Sequence, residues 1–210
     1  KGPTTERLLK FAPLVRAVVA ESEFARCDLV IEAVVENERA KRELYAKLET
    51  HLRDDAILAS NTSAISIGRL ASGLKHPERF CGIHFFNPVR KMPLVEVIRG
   101  PQTSDATIAT AVGFAKGLGK SPIVVEDGPG FLVNRLLFPY MNEALELLTS
   151  GVSIKHVDGA AKAFGMPMGP ITLYDVVGLD TALFAGSVMH DAFPDRVLAS
   201  ALLEAMVKAG

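Results

Sequence analysis

The sequence predicts an α/β fold in which a doubly wound parallel sheet is followed by an all-α domain. Over residues 1–127, strand-length apolar runs alternate with amphipathic segments, the pattern of a parallel sheet with helices on both faces. Beyond the glycine- and proline-rich stretch 127–130, no strand pattern appears and helical periodicity fills the chain. We therefore expect two domains, at 1–127 and 128–210, joined at that hinge.

Each element is predicted from its own pattern. The near-continuous apolar run 29–35 is typical of a strand buried on both faces. The polar run 60–63 is expected to cap the helix that follows it. Strands are predicted at 16–20, 29–35, 56–59, 82–88, 94–98 and 121–126. Helices are predicted at 4–11, 38–51, 65–73, 104–118, 131–149, 154–164, 181–193 and 196–209.

Composition excludes several classes of protein. The 210 residues carry a net charge of −1, which gives no electrostatic reason to expect nucleic acid or a membrane surface as partner. The longest apolar stretches have strand length, so no membrane-inserted helix is expected. Cys27 and Cys81 lie in or beside apolar runs and are expected to be reduced and buried. No spacing of Cys and His indicates a metal site.

One histidine stands in an unusual setting. His84 lies in the apolar run 82–88, which ends at an Asn-Pro pair, and the next apolar run holds Glu96. Open α/β sheets bind ligands at strand ends, and a histidine oriented by a carboxylate has the parts of a general base. A core histidine and a surface glutamate are the alternative interpretation of the same residues.

Five motifs follow one another in register along the chain: Ser60-Asn61-Thr62-Ser63, His84-Phe85-Phe86-Asn87-Pro88, Val95-Glu96-Val97-Ile98, Gly130-Phe131-Leu132-Val133-Asn134-Arg135 and Pro167-Met168-Gly169-Pro170. Together they resemble a known family, L-3-hydroxyacyl-CoA dehydrogenase. The chain is similar either to the single-function enzyme or to the dehydrogenase region of the multifunctional fatty-acid oxidation α subunit. The resemblance implies NAD-dependent oxidation of the 3-hydroxyl of an acyl-CoA in β-oxidation.

The resemblance also implies roles at the catalytic end of the site. It makes His84 the general base and Glu96 its orienting carboxylate. It places Ser63 and Asn134 against the substrate oxygens or the dyad. Taken alone, Ser63 is an ordinary helix cap and Asn134 an ordinary first-turn residue.

Four residues are implied to line the cofactor. Asn87 matches a position near the nicotinamide, and Glu36, Lys41 and Asn61 match positions along NAD. Each has an ordinary structural alternative, such as turn initiation by Asn87 or a first-turn acid at Glu36.

One expected feature of a dinucleotide fold is missing from these residues. A Rossmann fold opens with a strand, a G-x-G-x-x-G turn and a helix, and no such segment occurs here. We therefore expect an incomplete Rossmann-like parallel sheet from the interior of a longer chain. The segment 16–20 should then pair with the run 29–35, be displaced, or leave an edge that a second copy covers. Each outcome predicts weak NAD binding and no measurable dehydrogenase activity by these 210 residues.

Partners and alternatives follow from the same resemblance. A homodimer through the helical domain is expected, because its helices carry more apolar residues than a short bundle can hide. A thiolase subunit is a candidate partner, with a cytoplasmic location in bacteria or a mitochondrial or peroxisomal matrix location in eukaryotes. A non-catalytic, crystallin-like relative is the alternative function. A two-domain dehydrogenase with a lysine base is a third interpretation.

Overall fold

The computed structural model describes residues 4–197 and 199–210, so the first three residues of the predicted domain 1–127 lie outside it. A sheet with helices on both faces occupies the first part, and helices alone follow. The strands are β1 (Leu29–Glu32), β2 (Ile57–Ser60), β3 (Phe80–Phe85), β4 (Leu94–Arg99) and β5 (Ser121–Glu126). The α-helices are α1 (Thr5–Phe11), α2 (Glu38–Glu49), α3 (Ile67–Ala71), α4 (Asp105–Gly117), α5 (Val133–Thr149), α6 (Ile154–Phe164), α7 (Pro170–Val177), α8 (Leu179–Ala192) and α9 (Ala201–Ala209).

The sheet is mixed rather than wholly parallel. Its strands stand in the order β1-β2-β3-β4-β5, and every neighbouring pair is parallel except β3 and β4. The chain between those two strands runs only from residue 86 to 93. A parallel pair needs a crossover of a dozen or more residues, so this short connection allows only the antiparallel arrangement.

Helices bury both faces of the sheet. One face packs Ile98 and Phe80 against Tyr45 of α2 and Leu70 of α3. On the other face, residues such as Val95 and Val97 pack against Ala111 and Ala115 of α4. Both cysteines are free, with Cys81 buried in the sheet and Cys27 half-buried. The predicted doubly wound arrangement is therefore present.

One predicted strand is absent, and the strands predicted at 29–35 and 82–88 end early, at Glu32 and Phe85. The segment 16–20 forms no strand and stays largely exposed, because its backbone finds no ladder partner among the described residues. It is displaced, and β1 pairs only with β2. The predicted strand 29–35 ends at Glu32, after which Val34 and Val35 are exposed.

Three helices begin later than predicted, two of them after a capping serine. The cap of α3 is Ser66, whose hydroxyl accepts the Arg69 N–H, rather than the run 60–63. The helix expected at 196–209 begins at Ala201, after the capping residue Ser200. The predicted helix at 131–149 begins two residues later, at Val133.

A further helix, α7, lies in a stretch for which no element was predicted. Pro170 suits its first position, since proline has no N–H to satisfy there. Asp158 of α6 accepts the N–H groups of Ile171 and Thr172 at 2.9 and 3.1 Å, and so caps α7 from another helix. Sequence periodicity cannot reveal a cap from a distant residue.

No single helix in the described part of the chain is long and apolar enough to cross a membrane. By length and composition alone, α7 and α8 together pass that test as a pair bent by 106°.

Candidate active site

His84 and Glu96 form a buried pair in the middle of the sheet. They are direct partners in the antiparallel ladder between β3 and β4, which places both side chains on one face. His84 Nδ1 lies 2.7 Å from Glu96 Oε2, and both side chains are buried. The two side chains therefore lie within hydrogen-bonding reach, as an orienting carboxylate requires.

The second carboxylate oxygen of Glu96 is held by the start of α5. Oε1 accepts the backbone N–H groups of Leu132 and Val133 at 3.0 and 2.9 Å. Burial by itself would raise the pKa of Glu96, but the hydrogen bonds from His84, Val133 and Leu132 outweigh it and lower the pKa. Glu96 is therefore an anion at neutral pH, although its side chain is 0% exposed.

A sharp backbone turn aims those two N–H groups at Glu96. Gly130 and Phe131 both adopt left-handed conformations, with φ of 68° and 47°. A Cβ on Gly130 would lie 2.5 Å from Met189 Sδ, and this contact together with the positive φ favours glycine there. Phe131 is a rare non-glycine residue in this region, a sign of backbone strain near a functional site. Its ring lies 6.1 Å from that of His84, centroid to centroid.

The geometry fixes the roles of the two imidazole nitrogens. A carboxylate only accepts hydrogen bonds, so Nδ1 carries the proton that it shares with Glu96. Nε2 is then left with its lone pair. The ring of Phe86, 4.5 Å from the imidazole between centroids, packs against His84. The pair can therefore accept a proton at one defined atom.

The two residues predicted to contact substrate meet each other. Asn134, in the first turn of α5, donates from Nδ2 to the carbonyl oxygen of Ser63 at 2.9 Å. Ser63 lies in the loop between β2 and α3 and is half-buried. The contact joins the sheet to the first helix beyond the hinge.

Glu36 organises the loop that carries Ser63. Its Oε1 accepts the Thr62 hydroxyl at 2.5 Å and the Ser63 N–H at 2.8 Å. Partial burial would raise the pKa of Glu36, but the bonds from Thr62 and Ser63 and the charge of Lys41 together lower it. This predicted cofactor residue therefore lies in contact with a predicted substrate residue.

Lys41 is enclosed rather than open to a ligand. Its side chain is 1% exposed, and Nζ lies 2.7 Å from Glu32 Oε1 and 3.2 Å from Glu36 Oε2. As the structure stands, the ammonium group has internal partners on two sides.

The two predicted asparagines differ in their settings. Asn61 follows β2, and its Oδ1 accepts the Phe85 N–H at 2.9 Å, which ties the ends of β2 and β3 together. Asn87 is exposed just beyond β3. Both lie at the site end of the strands.

The remaining histidines lie elsewhere. His51, His76 and His156 are exposed, and His190 Nδ1 bonds the carbonyl oxygen of Val197. Among the described residues, no group of three or more His, Cys, Asp or Glu side chains could hold a metal ion.

Sequence reasoning missed three parts of this site. It did not identify Glu32, a buried carboxylate at the end of β1. A charged residue at the end of an apolar strand is a signal that could have found it. The N–H groups of Leu132 and Val133 are backbone donors, and no residue type marks them.

Family models match nearly the whole chain. Residues 4–128 match the 3-hydroxyacyl-CoA dehydrogenase, NAD binding domain, and residues 130–210 match the 3-hydroxyacyl-CoA dehydrogenase, C-terminal domain. A fatty acid oxidation complex subunit alpha from Ectopseudomonas oleovorans is 51% identical over 194 residues. That match covers 92% of this chain but 27% of the relative, so the chain spans about a quarter of that relative's length.

Solved structures give the same result. M. tuberculosis FadB2 superposes with a TM-score of 0.95 at 39% identity, over 99% of this chain and 75% of that one. The (S)-3-hydroxybutyryl-CoA dehydrogenase PaaH1 from Ralstonia eutropha gives 0.89 at 39% identity, over 98% and 77% of the two chains. With both family models matched in sequence order, the chain belongs to the 3-hydroxyacyl-CoA dehydrogenase family.

Proposed function

We propose that the protein oxidises the 3-hydroxyl of an L-3-hydroxyacyl-CoA to a ketone with NAD as the hydride acceptor. One observation carries the proposal: the 2.7 Å contact between His84 Nδ1 and a Glu96 carboxylate that two backbone N–H groups also hold. The family of the chain supports the same chemistry.

His84 is the base in this proposal. Its Nε2 takes the hydroxyl proton of the substrate while the hydride leaves C3. When bound, NAD supplies the acceptor for that hydride. Glu96 keeps the Nδ1 proton in place and stabilises the imidazolium that forms, because its charge lies against the ring. In the oxidation direction the imidazolium then releases its proton to solvent. In the reverse direction it gives that proton to the ketone oxygen.

Ser63 and Asn134 are proposed to orient the substrate oxygens. The two residues are already joined, because the Asn134 amide donates a hydrogen bond to the Ser63 carbonyl oxygen. Hydrogen bonds from the protein to a polarised oxygen act most strongly when their donors are fixed beforehand. The contact supplies that rigidity.

The carboxyl ends of β1 and β2 form the region where we propose that the dinucleotide binds. Ligands of open α/β sheets bind beyond the carboxyl ends of parallel strands, where β1 and β2 place Glu36 and Asn61. Exposed Val34 and Val35 offer apolar surface beside them. Asn87, Asn61 and Glu36 are therefore proposed to hold NAD directly. Lys41 is enclosed, so we propose that it acts through Glu36.

The whole protein is proposed to act in fatty-acid β-oxidation. The relative from E. oleovorans is named as the alpha subunit of a fatty acid oxidation complex, which supports a place in a complex of several subunits. A multifunctional enzyme with a thiolase subunit as partner is part of the same proposal. A cytoplasmic location in bacteria, or a mitochondrial or peroxisomal matrix location in eukaryotes, follows from that setting. The buried dyad argues against a non-catalytic, crystallin-like relative, and α5 contains no lysine to serve as the alternative base.

A homodimer through the helical domain is also proposed. A groove of about 540 Å³ between α5 and α6 is lined almost wholly by apolar side chains, among them Leu136, Leu147 and Phe164. These side chains are exposed, and apolar patches of this kind usually mark a partner surface.

The activity is tested by following NADH oxidation with acetoacetyl-CoA in the intact protein. We expect His84→Gln to lower kcat by about 10²–10⁴-fold with little change in KM, because a general base acts in the transition state. His51→Gln, at an exposed histidine, is the matched control and should leave kcat unchanged. Near-normal kcat in His84→Gln would show that another group takes the proton.

A further inference from the structure

Glu32 is a buried carboxylate with every side occupied. Its Oε1 accepts from Lys41 Nζ at 2.7 Å and from the Val34 N–H at 2.6 Å. Its Oε2 accepts the hydroxyls of Ser60, at 2.8 Å, and Tyr45. Burying a carboxylate is costly unless it is paired and hydrogen-bonded, and Glu32 is both.

Lys41 links Glu32 to a second carboxylate. Its Nζ lies between Glu32 Oε1 at 2.7 Å and Glu36 Oε2 at 3.2 Å. The three side chains form a carboxylate–ammonium–carboxylate chain that begins at the end of β1. The side chains of Glu32 and Lys41 are each at most 1% exposed, so solvent screens the attraction between them little.

Glu36, at the other end of this row of three side chains, holds the loop between β2 and α3 by hydrogen bonds. Glu36 Oε1 accepts from the Thr62 hydroxyl and from the N–H groups of Ser63 and Ala64, the last at 3.3 Å. The carbonyl of Ser63 in turn accepts from Asn134. A substitution at Lys41 can therefore displace Ser63, although Lys41 itself does not contact Ser63.

We propose that Glu32 and Lys41 are positioning residues that act through Glu36 to fix the Ser63 loop for the acyl-CoA substrate. The proposal rests on the proposed function and adds Glu32 to it, a residue that had no assigned role.

The kinetic consequence is specific. A loosened Ser63 loop misplaces the groups that face the substrate, and a displacement of about 1 Å can cost on the order of 10²-fold in rate. Lys41→Met should therefore lower kcat at least about tenfold or raise the acyl-CoA KM. Lys47→Met, at an exposed lysine on the same helix, is the matched control.

A double variant separates positioning from simple stability. Lys41→Met alone leaves Glu32 as an unpaired buried charge, which can unfold the protein. Lys41→Met with Glu32→Gln removes that charge, and the hydroxyls of Tyr45 and Ser60 can accept from the new amide. The double variant should regain the wild-type melting temperature but not the wild-type kcat.

Amide hydrogen exchange of the peptide spanning residues 61–66 gives a readout that needs no activity. We expect the Ser63 and Ala64 amides to exchange faster in the double variant, and at the wild-type rate in Lys47→Met. If the full-length wild-type protein is inactive but exchange is faster in the double variant, the proposed function is contradicted and the positioning role stands. Unchanged exchange in the double variant, or recovery there of both the wild-type kcat and the wild-type acyl-CoA KM, would each overturn the positioning role.

Discussion

His84 and Glu96 stand directly opposite each other on β3 and β4, with Nδ1 2.7 Å from Oε2. The other Glu96 oxygen is fixed by the N–H groups of Leu132 and Val133. The carboxylate therefore cannot turn around without losing two hydrogen bonds. This constraint makes the effect of an amide at position 96 predictable.

Glu96→Gln should abolish the base rather than merely weaken it. The amide oxygen must stay toward Leu132 and Val133, because those groups only donate, so the amide NH₂ faces Nδ1. Nδ1 then accepts, and the proton moves to Nε2, where it blocks the lone pair. We expect a loss in kcat of about 10⁴-fold, as in other dyads with the wrong tautomer.

The control for that variant is Glu126→Gln on the adjacent strand β5, where the side chain is largely exposed. It should retain wild-type kcat. A Glu96→Gln enzyme with more than about a tenth of the wild-type kcat would show that the tautomer does not limit the rate.

The sequence predicts those residues of the site that stand out in the local pattern of apolar and polar residues. His84 and Glu96 interrupt two apolar strands, and a short connection between them implies adjacent strands. The contacts around them join distant residues: Asn134 and Ser63 are 71 positions apart, and Glu32 and Ser60 are 28 apart. Periodicity reports which side chains are buried, but it does not report which donors meet a carboxylate. The cap that Asp158 gives to α7 was missed for the same reason.

Acid should remove the contribution of Glu96 to stability. Its pKa is lowered in the folded state, so the unfolded chain binds the proton at higher pH than the native protein. The contribution is present above the unfolded glutamate pKa and is lost as pH falls through the lowered folded pKa. The difference in unfolding free energy between wild type and Glu96→Gln should therefore shrink below pH of about 4.3. Urea unfolding between pH 7 and pH 3 measures it, and a constant difference would contradict the assignment.

A side chain at position 169 should destabilise the protein, because Asp158 lies against Gly169. A Cβ at Gly169 would come within 2.1 Å of Asp158 Cγ, which disrupts the cap of α7. We expect Gly169→Ala to lower the free energy of unfolding by about 1–3 kcal/mol, the range for overpacked sites. Gly159→Ala, next to Asp158 on α6, meets nothing within 4 Å and should instead stabilise the helix by up to about 1 kcal/mol. Equal effects of the two substitutions in urea titrations would show that the contact is not the cause.

The proposed dimer should depend on the groove between α5 and α6. Leu136 is 69% exposed and Phe164 is 89% exposed, so a charge at either position barely affects the folded monomer. In the dimer the same charge would be buried without a partner, which costs several kcal/mol. Leu136→Glu should therefore sediment as a monomer at concentrations where the wild type is a dimer. Leu118→Glu, at an exposed leucine beside α4, should stay dimeric. A wild type that remains monomeric at high micromolar concentration would contradict the dimer itself, and a dimeric Leu136→Glu would place the interface on another surface.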